Sequence, residues 1–567
     1  MKRRIIAATG IALVASLIAS SCGGSSGSES SGKAGGTIHI LTHAEQIAHL
    51  DPQRNYTGSD LAFASSTMHR TLTSYAYEAG EAGNTIVPDL ATDTGTPSAD
   101  AKTWTFTLRD GITFEDGSAI TCGDIAYGIS RTFATDVITD GPSYAMSYLD
   151  VTDYPGPYKA NAAQQAAYDK AVACDGNTIT FHLSIAVPDF NATTTLTAFG
   201  PVPKKSDDGD KYDMHPVSSG PYKIESYEVG KSLVLVRNSN WNKDSDPLRK
   251  ALPDSYVYHF GLDEAAIDER MIADAGDDQT ALSSIIQPEN LQTVFGDDQF
   301  KDRRVDYFDP YVTYTNINNE TISCVEVRRA IYLALDRDAL RKAGGGPYTG
   351  DFADGFIKPS LATDYAKAKG PEGLNEDGKA NVEAAKAAVA AAETACPEVV
   401  AHAKDGLSFY YPDTDVWQKY LAIWQDNLKA IGFNLKPEAV ESSQYWATVL
   451  NPETNYDIAR GGWAPDWANA STVIPELFTT AGGFNLTRNS KDPDYPTFEK
   501  AVTKAKTTLD RQEQATQWKE LNQYLVDKLW AIPSLFTKAQ AIWGSKVGGA
   551  YQWSSYGEFN YGDLYVK

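Results

Sequence analysis

The sequence predicts an α/β protein of two or three domains, and three observations predict it. Residues 407–440 read strand, helix, strand: "LSFYY", then "DVWQKYLAIWQDNLKAIG" with Trp417, Leu421, Trp424, Leu428 and Ile431 on one helical face, then "FNLKPEAV". Short links in that order make a parallel βαβ unit. Residues 102–114, "KTWTFTLRDGITF", alternate apolar and polar, which places further sheet far from that unit. A chain of 567 residues also exceeds the usual size of one domain.

Taken from the N-terminus, Lys2, Arg3 and Arg4 precede the uncharged apolar run Ile5–Ala19, which meets small residues in "IASSC". This reads as a secretory signal peptide over residues 1–21. The run is too short for a bilayer, which takes about 20 helical residues, and "GGSSGSESSGKAGG" then makes a flexible tether through residue 36. No later segment is long and apolar enough to be a second membrane candidate. Losing the leader removes three positive charges and no acid, so the exported chain is more acidic still than the formal −24 of the whole. Such a surface repels nucleic acid and anionic headgroups.

The alternating run places Trp104, Phe106 and Leu108 on one face, turns at Asp110-Gly111 and resumes at Ile112 and Phe114, a β-hairpin pattern. A second turn at Asp116-Gly117 leads to Thr121 and Asp124, spaced as a capping box before "DIAYGISRTFA". The acidic run "SDDGDKYD", 206–213, lacks EF-hand ligand spacing and reads as a solvated turn. Residues 376–393 are alanine-rich and read as a peripheral helix, solvated on one side. Within the βαβ unit Gly432 stops the helix, and Trp417 and Trp424 are expected in the core. A short helix with Tyr445 and Trp446 follows, then "YDIARGGW" as a strand. "WAPDWANA" therefore sits at a strand's carboxyl end, the edge where open α/β sheets bind ligands. No internal repeat is present.

Cys122, Cys174, Cys324 and Cys396 remain after Cys22, and an even count in an exported chain suggests two disulfides, for which three pairings exist. His39, His43 and His49 lack zinc-protease spacing. Nucleophile-elbow and serine-x-x-lysine patterns occur only in the tether, at Gly23–Gly27 and Ser30–Lys33, with no strand before them or helix after. The sequence thus predicts no metal, no cofactor and no catalytic residue. With 31 tyrosines and 11 tryptophans, its aromatic surplus points to a binding surface.

"TWTFTLRDGITFEDGSAITCGDIAYGISR" resembles the hallmark of the family 5 extracellular solute-binding proteins of ABC importers. Four further stretches match in the family's order: "LDPQRN" at 50–55, "SSGPYKIESYEVGKSLVLVRNSNWN" at 218–242, "YTNINNETISCVEVRRAIYLALDRDAL" at 314–340, and "YDIARGGWAPDWANA" at 456–470. The resemblance implies a type II periplasmic-binding-protein-like bilobe with an additional inserted α/β domain. Lobe I would comprise 37–75, 190–310 and 536–567, the inserted domain 76–189, and lobe II 311–535. Pairing Cys122 with Cys174 and Cys324 with Cys396 keeps each disulfide within one of these parts. Cys22, after Ser20 and Ser21, resembles the lipid-modified cysteine of a bacterial lipobox, although Ala19 stands where leucine is usual.

"DIARGGWAPDWANA" is similar to the oligopeptide-binding branch in particular. That likeness gives Asp466 to a peptide's α-ammonium, Arg460 to the carboxylate of a short peptide, and main-chain groups of Gly462 and Ala464 to strand addition. Trp446 would line a side-chain pocket, with Trp463 and Trp467 flanking the acid. Gly58, just past the first motif, and Tyr314, opening the fourth, complete the expected ligand-binding set. Pro465, Trp467 and Asn469-Ala470 depart from the family pattern and bear on pocket shape. The implied partners are short peptides, permease subunits with their ATPases, and a membrane reached through the lipid anchor, with no nucleic acid. The receptor would be a monomer held at the outer face of the cell membrane. Other cargoes of the family include nickel chelates, opines and oligosaccharides; Arg460 and Asp466 together favour a zwitterion. A secreted hydrolase would need an activated nucleophile, and none outside the tether is signalled.

Overall fold

A mixed sheet of eleven strands runs through the protein, in a computed structural model that describes residues 32–441 and 444–567, apart from the side chains of residues 308–310 and 447. In chain order its strands are β1 (Thr37–Leu41), β2 (Tyr222–Glu228), β3 (Ser232–Arg237), β4 (Ser255–His259), β5 (Ala281–Ser283) and β6 (Arg304–Ile317). The rest are β7 (Gly350–Phe352), β8 (Leu407–Pro412), β9 (Leu435–Val440), β10 (Ile458–Trp463) and β11 (Ala531–Trp543). Across the sheet they stand β9-β8-β10-β6-β11-β5-β1-β4-β3-β2, with β7 also on β11. β1 is parallel to both β4 and β5, and β8 to both β9 and β10, so each half has a parallel centre.

β6 and β11 connect the halves. At 14 and 13 residues, and about 3.3 Å per residue, they are roughly twice as long as an ordinary strand. Their antiparallel register shifts between Phe308 and Val312, around Pro310, which has no N–H to give the ladder. The lobe limits expected at 310/311 and 535/536 fall inside these two strands. In the distal half the chain passes from β8 through the helix Asp415–Ala430 to β9 on one side, then returns as β10 on the other. The carboxyl ends of β8 and β10 therefore diverge at a topological switch point.

One buried cluster includes Ile38, Phe63, Leu233, Tyr256 and Leu564 together with Trp104, Phe106, Phe181 and Phe199. The four-stranded sheet of residues 96–182 thus packs on the proximal half without a break in the core. Charge chemistry reinforces that junction. Arg131, in the helix Cys122–Arg131, forks onto Asp51 at 2.6 and 2.8 Å, and its Nε lies 3.2 Å from Asp207. All three side chains are almost wholly buried, so each charge depends on the others. The distal half has separate clusters around Trp424 and around Trp518 and Trp530. Cys122 is bonded to Cys174 and Cys324 to Cys396, with Cα separations of 5.8 and 6.2 Å.

Several local readings change. Thr103–Thr107 does not fold back on Ile112–Phe114; it pairs with Thr178–His182 and with Thr96–Pro97. The tight hairpin lies one turn later, where Phe114 and Ser118, and Ile112 and Ile120, are joined by main-chain bonds around Gly117. The acidic run 206–213 is not merely a solvated turn. Asp207 neutralises Arg131, and Asp213 accepts the N–H groups of Leu50 and Asp51 and a contact from His49. Trp417 is only partly buried, whereas Trp424 is core. The alanine-rich helix spans Val382–Ala395, burying Ala385, Ala388, Val389 and Ala392. The leader, Cys22 and the Gly23–Gly27 run lie outside the described residues, as does Ser30. Among the described residues no helix is long and apolar enough to cross a membrane.

Candidate functional site

β10 carries the site because its two edges end differently. Towards β6 it is paired throughout, Ile458 opposite Ile317 to Trp463 opposite Val312. Towards β8 pairing covers only Ile458 and Ala459, opposite Phe409 and Tyr410. The Arg460 carbonyl on that side accepts the Tyr445 hydroxyl at 2.9 Å. Main-chain groups alternate sides along a strand, so the N–H and C=O of Gly462 face the same open edge. Gly461 permits this geometry: a Cβ there would lie 2.3 Å from the Tyr314 ring and 2.7 Å from the Asn316 amide nitrogen.

Beyond β10 the loop is fixed by its own polar groups. Trp463 Nε1 donates to the Thr472 carbonyl at 2.7 Å, and the Asp466 N–H to Thr472 Oγ1 at 3.2 Å. Asn469 caps the turn Ala470–Thr472. The Ala470 N–H donates to Asp364, which Arg511 holds from the far side at 2.6 Å. Trp463 itself is buried, 4.8 Å from the Phe484 ring. A rigid base therefore presents Asp466 and Trp467 towards the proximal half.

There they meet Tyr144, Tyr56 and Asp189. The Tyr144 hydroxyl, in the helix Tyr144–Tyr148, donates to Asp466 Oδ2, and the Tyr56 hydroxyl bonds to the same carboxyl. The Trp467 ring lies 4.8 Å from that of Tyr144, tilted by 55°, and donates through Nε1 to Asp189 at 2.7 Å; Ser471 Oγ donates to the same oxygen at 2.8 Å. Trp467 consequently belongs to the proximal core cluster rather than to that of its own half. Behind it lies a cavity of about 220 Å³ lined by Tyr75, Asp189, Asn469 and Arg511, among others.

The charge at this junction is one-sided. Asp466, Glu476 and Asp189 all act electrostatically on Tyr148, and among the described residues none of the three has an ion-pair partner. Burial pushes the Asp466 carboxyl up to about 7, with Glu476 adding to the rise and the two tyrosine hydroxyls opposing it. A carboxyl held in that state is one positive charge short of its preferred surroundings. Arg460 is the converse. Its guanidinium lies 4.9 Å above the Trp446 ring and has no carboxylate partner among the described residues.

The remaining expected residues divide. Gly462 and Ala464 are on the strand and loop with Asp466, and Tyr314 faces Gly461 from β6. Gly58 opens the helix Gly58–Thr67, two residues past Tyr56, where a Cβ would sit 2.8 Å from the Tyr556 carbonyl oxygen. It is near the acid through Tyr56 and not by direct contact. Tyr144 and Asp189 could not be found from local pattern, being 322 and 278 residues from their partners. Tyr56 alone had a signal, standing next to "LDPQRN".

Comparison with known proteins agrees with this architecture. Residues 85–485 match the model of the bacterial extracellular solute-binding proteins, family 5 Middle. The periplasmic oligopeptide-binding protein OppA of Escherichia coli K12 is 27% identical over 458 residues, covering 77% of each chain. The solved structure of the clavulanic acid biosynthesis oligopeptide binding protein 2 superposes with a TM-score of 0.84 at 26% identity, over 94% of this chain and 96% of that one. Haemophilus influenzae OppA, in complex with RPPGFSPFR, shares the fold with a TM-score of 0.70 at 20% identity, over 94% and 98% of the chains. A family model that spans most of both halves and the segment between them identifies the chain as a member of the family 5 bacterial extracellular solute-binding proteins.

Proposed function

We propose that this protein is the peptide receptor of an ABC importer, tethered outside the cell by a lipid on Cys22, and that it delivers short peptides to a permease. The observation that carries the reading is the pair of uncompensated charges on one strand and its loop: Asp466 among acids and tyrosines, Arg460 on an aromatic face, and an open main-chain edge between them. An extended peptide brings the complement of all three. Its ammonium supplies the positive charge at Asp466, where Tyr144 and Tyr56 can turn their lone pairs to it. Its backbone continues the sheet at Gly462 and Ala464, which fixes the frame without reading side chains. Its carboxylate, in a short peptide, meets Arg460 in a charge-assisted bond. Relatives named for oligopeptide binding support the same class of ligand.

A receptor that must hand on its cargo needs reversible capture, and micromolar affinity, about −8 kcal/mol, meets that need. The contacts of Asp466 and Trp467 with Tyr144 and Asp189 join the two halves, and a ligand between them would be enclosed by hinge motion along β6 and β11. Partners on this reading are two permease subunits and two ATPases, and the receptor acts as a monomer without catalysis. Native mass spectrometry of the full chain purified from rich medium tests it. Co-purifying peptides of about two to six residues are expected; a metal chelate or a sugar in their place would overturn the reading.

A further inference from the structure

A second cavity, of about 250 Å³, opens at the switch point beside Arg460 and Gly461. It is lined by the carboxyl-terminal part of β6, by the first half of β11 and by the helix Asp415–Ala430 from Val416 to Trp424. Tyr314, Trp417, Tyr420 and Trp424 line it with aliphatic residues between them. It exists because β8 and β10 part after Tyr410 and Ala459, so the sheet leaves a gap that the helix covers only in part. Trp417, expected in the core, is half-buried for that reason.

The charge of the lining is as telling as its shape. In a chain with 74 acidic residues, none of the lining residues is acidic, while Arg337 and Arg460 both contribute to the wall. Arg337 is buried against the Tyr332 and Phe352 rings and has no carboxylate partner among the described residues. Thr313, Thr315, Thr349, Ser534 and Thr537 add uncharged polar residues to the lining. Such a space suits a ring or branched chain with modest polarity and rejects a second cation.

We propose that this cavity is a specificity pocket for one large apolar side chain of the bound peptide, in register with Arg460 and Gly461, and that it excludes lysine and arginine there. The inference rests on the peptide-receptor reading. An added strand on the open edge of β10 points alternate side chains to one face of the sheet, so one of them is directed at the switch point. The volume equals the share of roughly eight waters, room for a phenyl or indole group, and filling it releases water from an aromatic wall.

Isothermal titration of the full chain with tetraalanine, and with tetraalanine carrying Phe, Leu or Lys at each position in turn, tests the pocket. At one position Phe and Leu should bind about tenfold or more tighter than Ala, and Lys weaker than Ala. Trp417→Ala should reduce the Phe-to-Ala ratio at that position several-fold; Tyr420→Leu serves the same purpose if the first variant does not fold. A flat series in which tetraalanine still binds overturns the pocket and leaves the receptor function standing. An undiminished Phe preference in the folded variant also overturns it. Failure of every peptide to bind overturns both.

Discussion

The Tyr144 hydroxyl donates a hydrogen bond to the Asp466 carboxyl, joining residues 322 positions apart and fastening the loop after β10 to the proximal half. The bond sets the state of the acid before any ligand arrives. Tyr144→Phe removes one of the two hydroxyls that favour the ionised carboxyl. Peptide binding should weaken by about 1.5–3 kcal/mol, the usual worth of a hydrogen bond to a charged group, as read by isothermal titration.

pH should act on this acid in two opposite ways. Asp466 titrates near 3.8 when unfolded and at about 7 in the folded, peptide-free protein, so the folded form holds more protons in between. Its contribution to stability is present below about 4 and is lost as pH rises through 7. The melting temperature of the peptide-free protein should therefore fall more steeply between pH 5 and 8 than that of Asp466→Asn. Peptide affinity should move the other way, because the ammonium requires the ionised acid. Titrations at pH 5.5 and 7.5 should differ by about tenfold or more in the wild type and little in the Asn variant.

Arg460 is expected to read the other end of a short peptide. Arg460→Gln should weaken a dipeptide or tripeptide by about 2 kcal/mol and leave the same peptide with an amidated C-terminus almost unaffected. Equal losses for both forms would place the carboxylate elsewhere.

The junction between residues 76–189 and the rest depends on buried charge. Arg131→Ala would leave Asp51 and Asp207 without their cation in the interior, and should cost about 3–5 kcal/mol by chemical denaturation. Arg131→Lys should recover only part of that loss, since a single ammonium cannot fork onto Asp51 while meeting Asp207.

What could be read from sequence was what is local. The helix Asp415–Ala430 between two parallel strands, its stop at Gly432 with φ +81°, and the Thr121–Asp124 capping box all follow from residues within a few positions of each other. The end of β10 at Trp463, with the acid just past it, was legible for the same reason. Strand partners were not. Thr103–Thr107 looked like half of a hairpin because Asp110-Gly111 is a sound turn, yet its partner lies some 70 residues on. A strand's pattern shows which face is buried and not which strand stands beside it. Charged runs carry the same ambiguity: Asp207 and Asp213 look solvated in sequence because Arg131 and the Leu50–Asp51 N–H groups that they meet are distant along the chain. Tyr144, Tyr56 and Asp189 complete the site from the other half, and no spacing in the chain links them to Asp466.

On the peptide-receptor reading, Asp466 awaits the ammonium of a peptide. Calorimetric titration of one tetrapeptide and its N-acetylated form, against the wild type and Asp466→Ala, measures it most directly. Micromolar binding of the free peptide by the wild type is expected, with a loss of at least about 2 kcal/mol on acetylation and a similar loss in the variant with little further effect of acetylation. Equal affinity of the wild type for the free and acetylated peptides would contradict it.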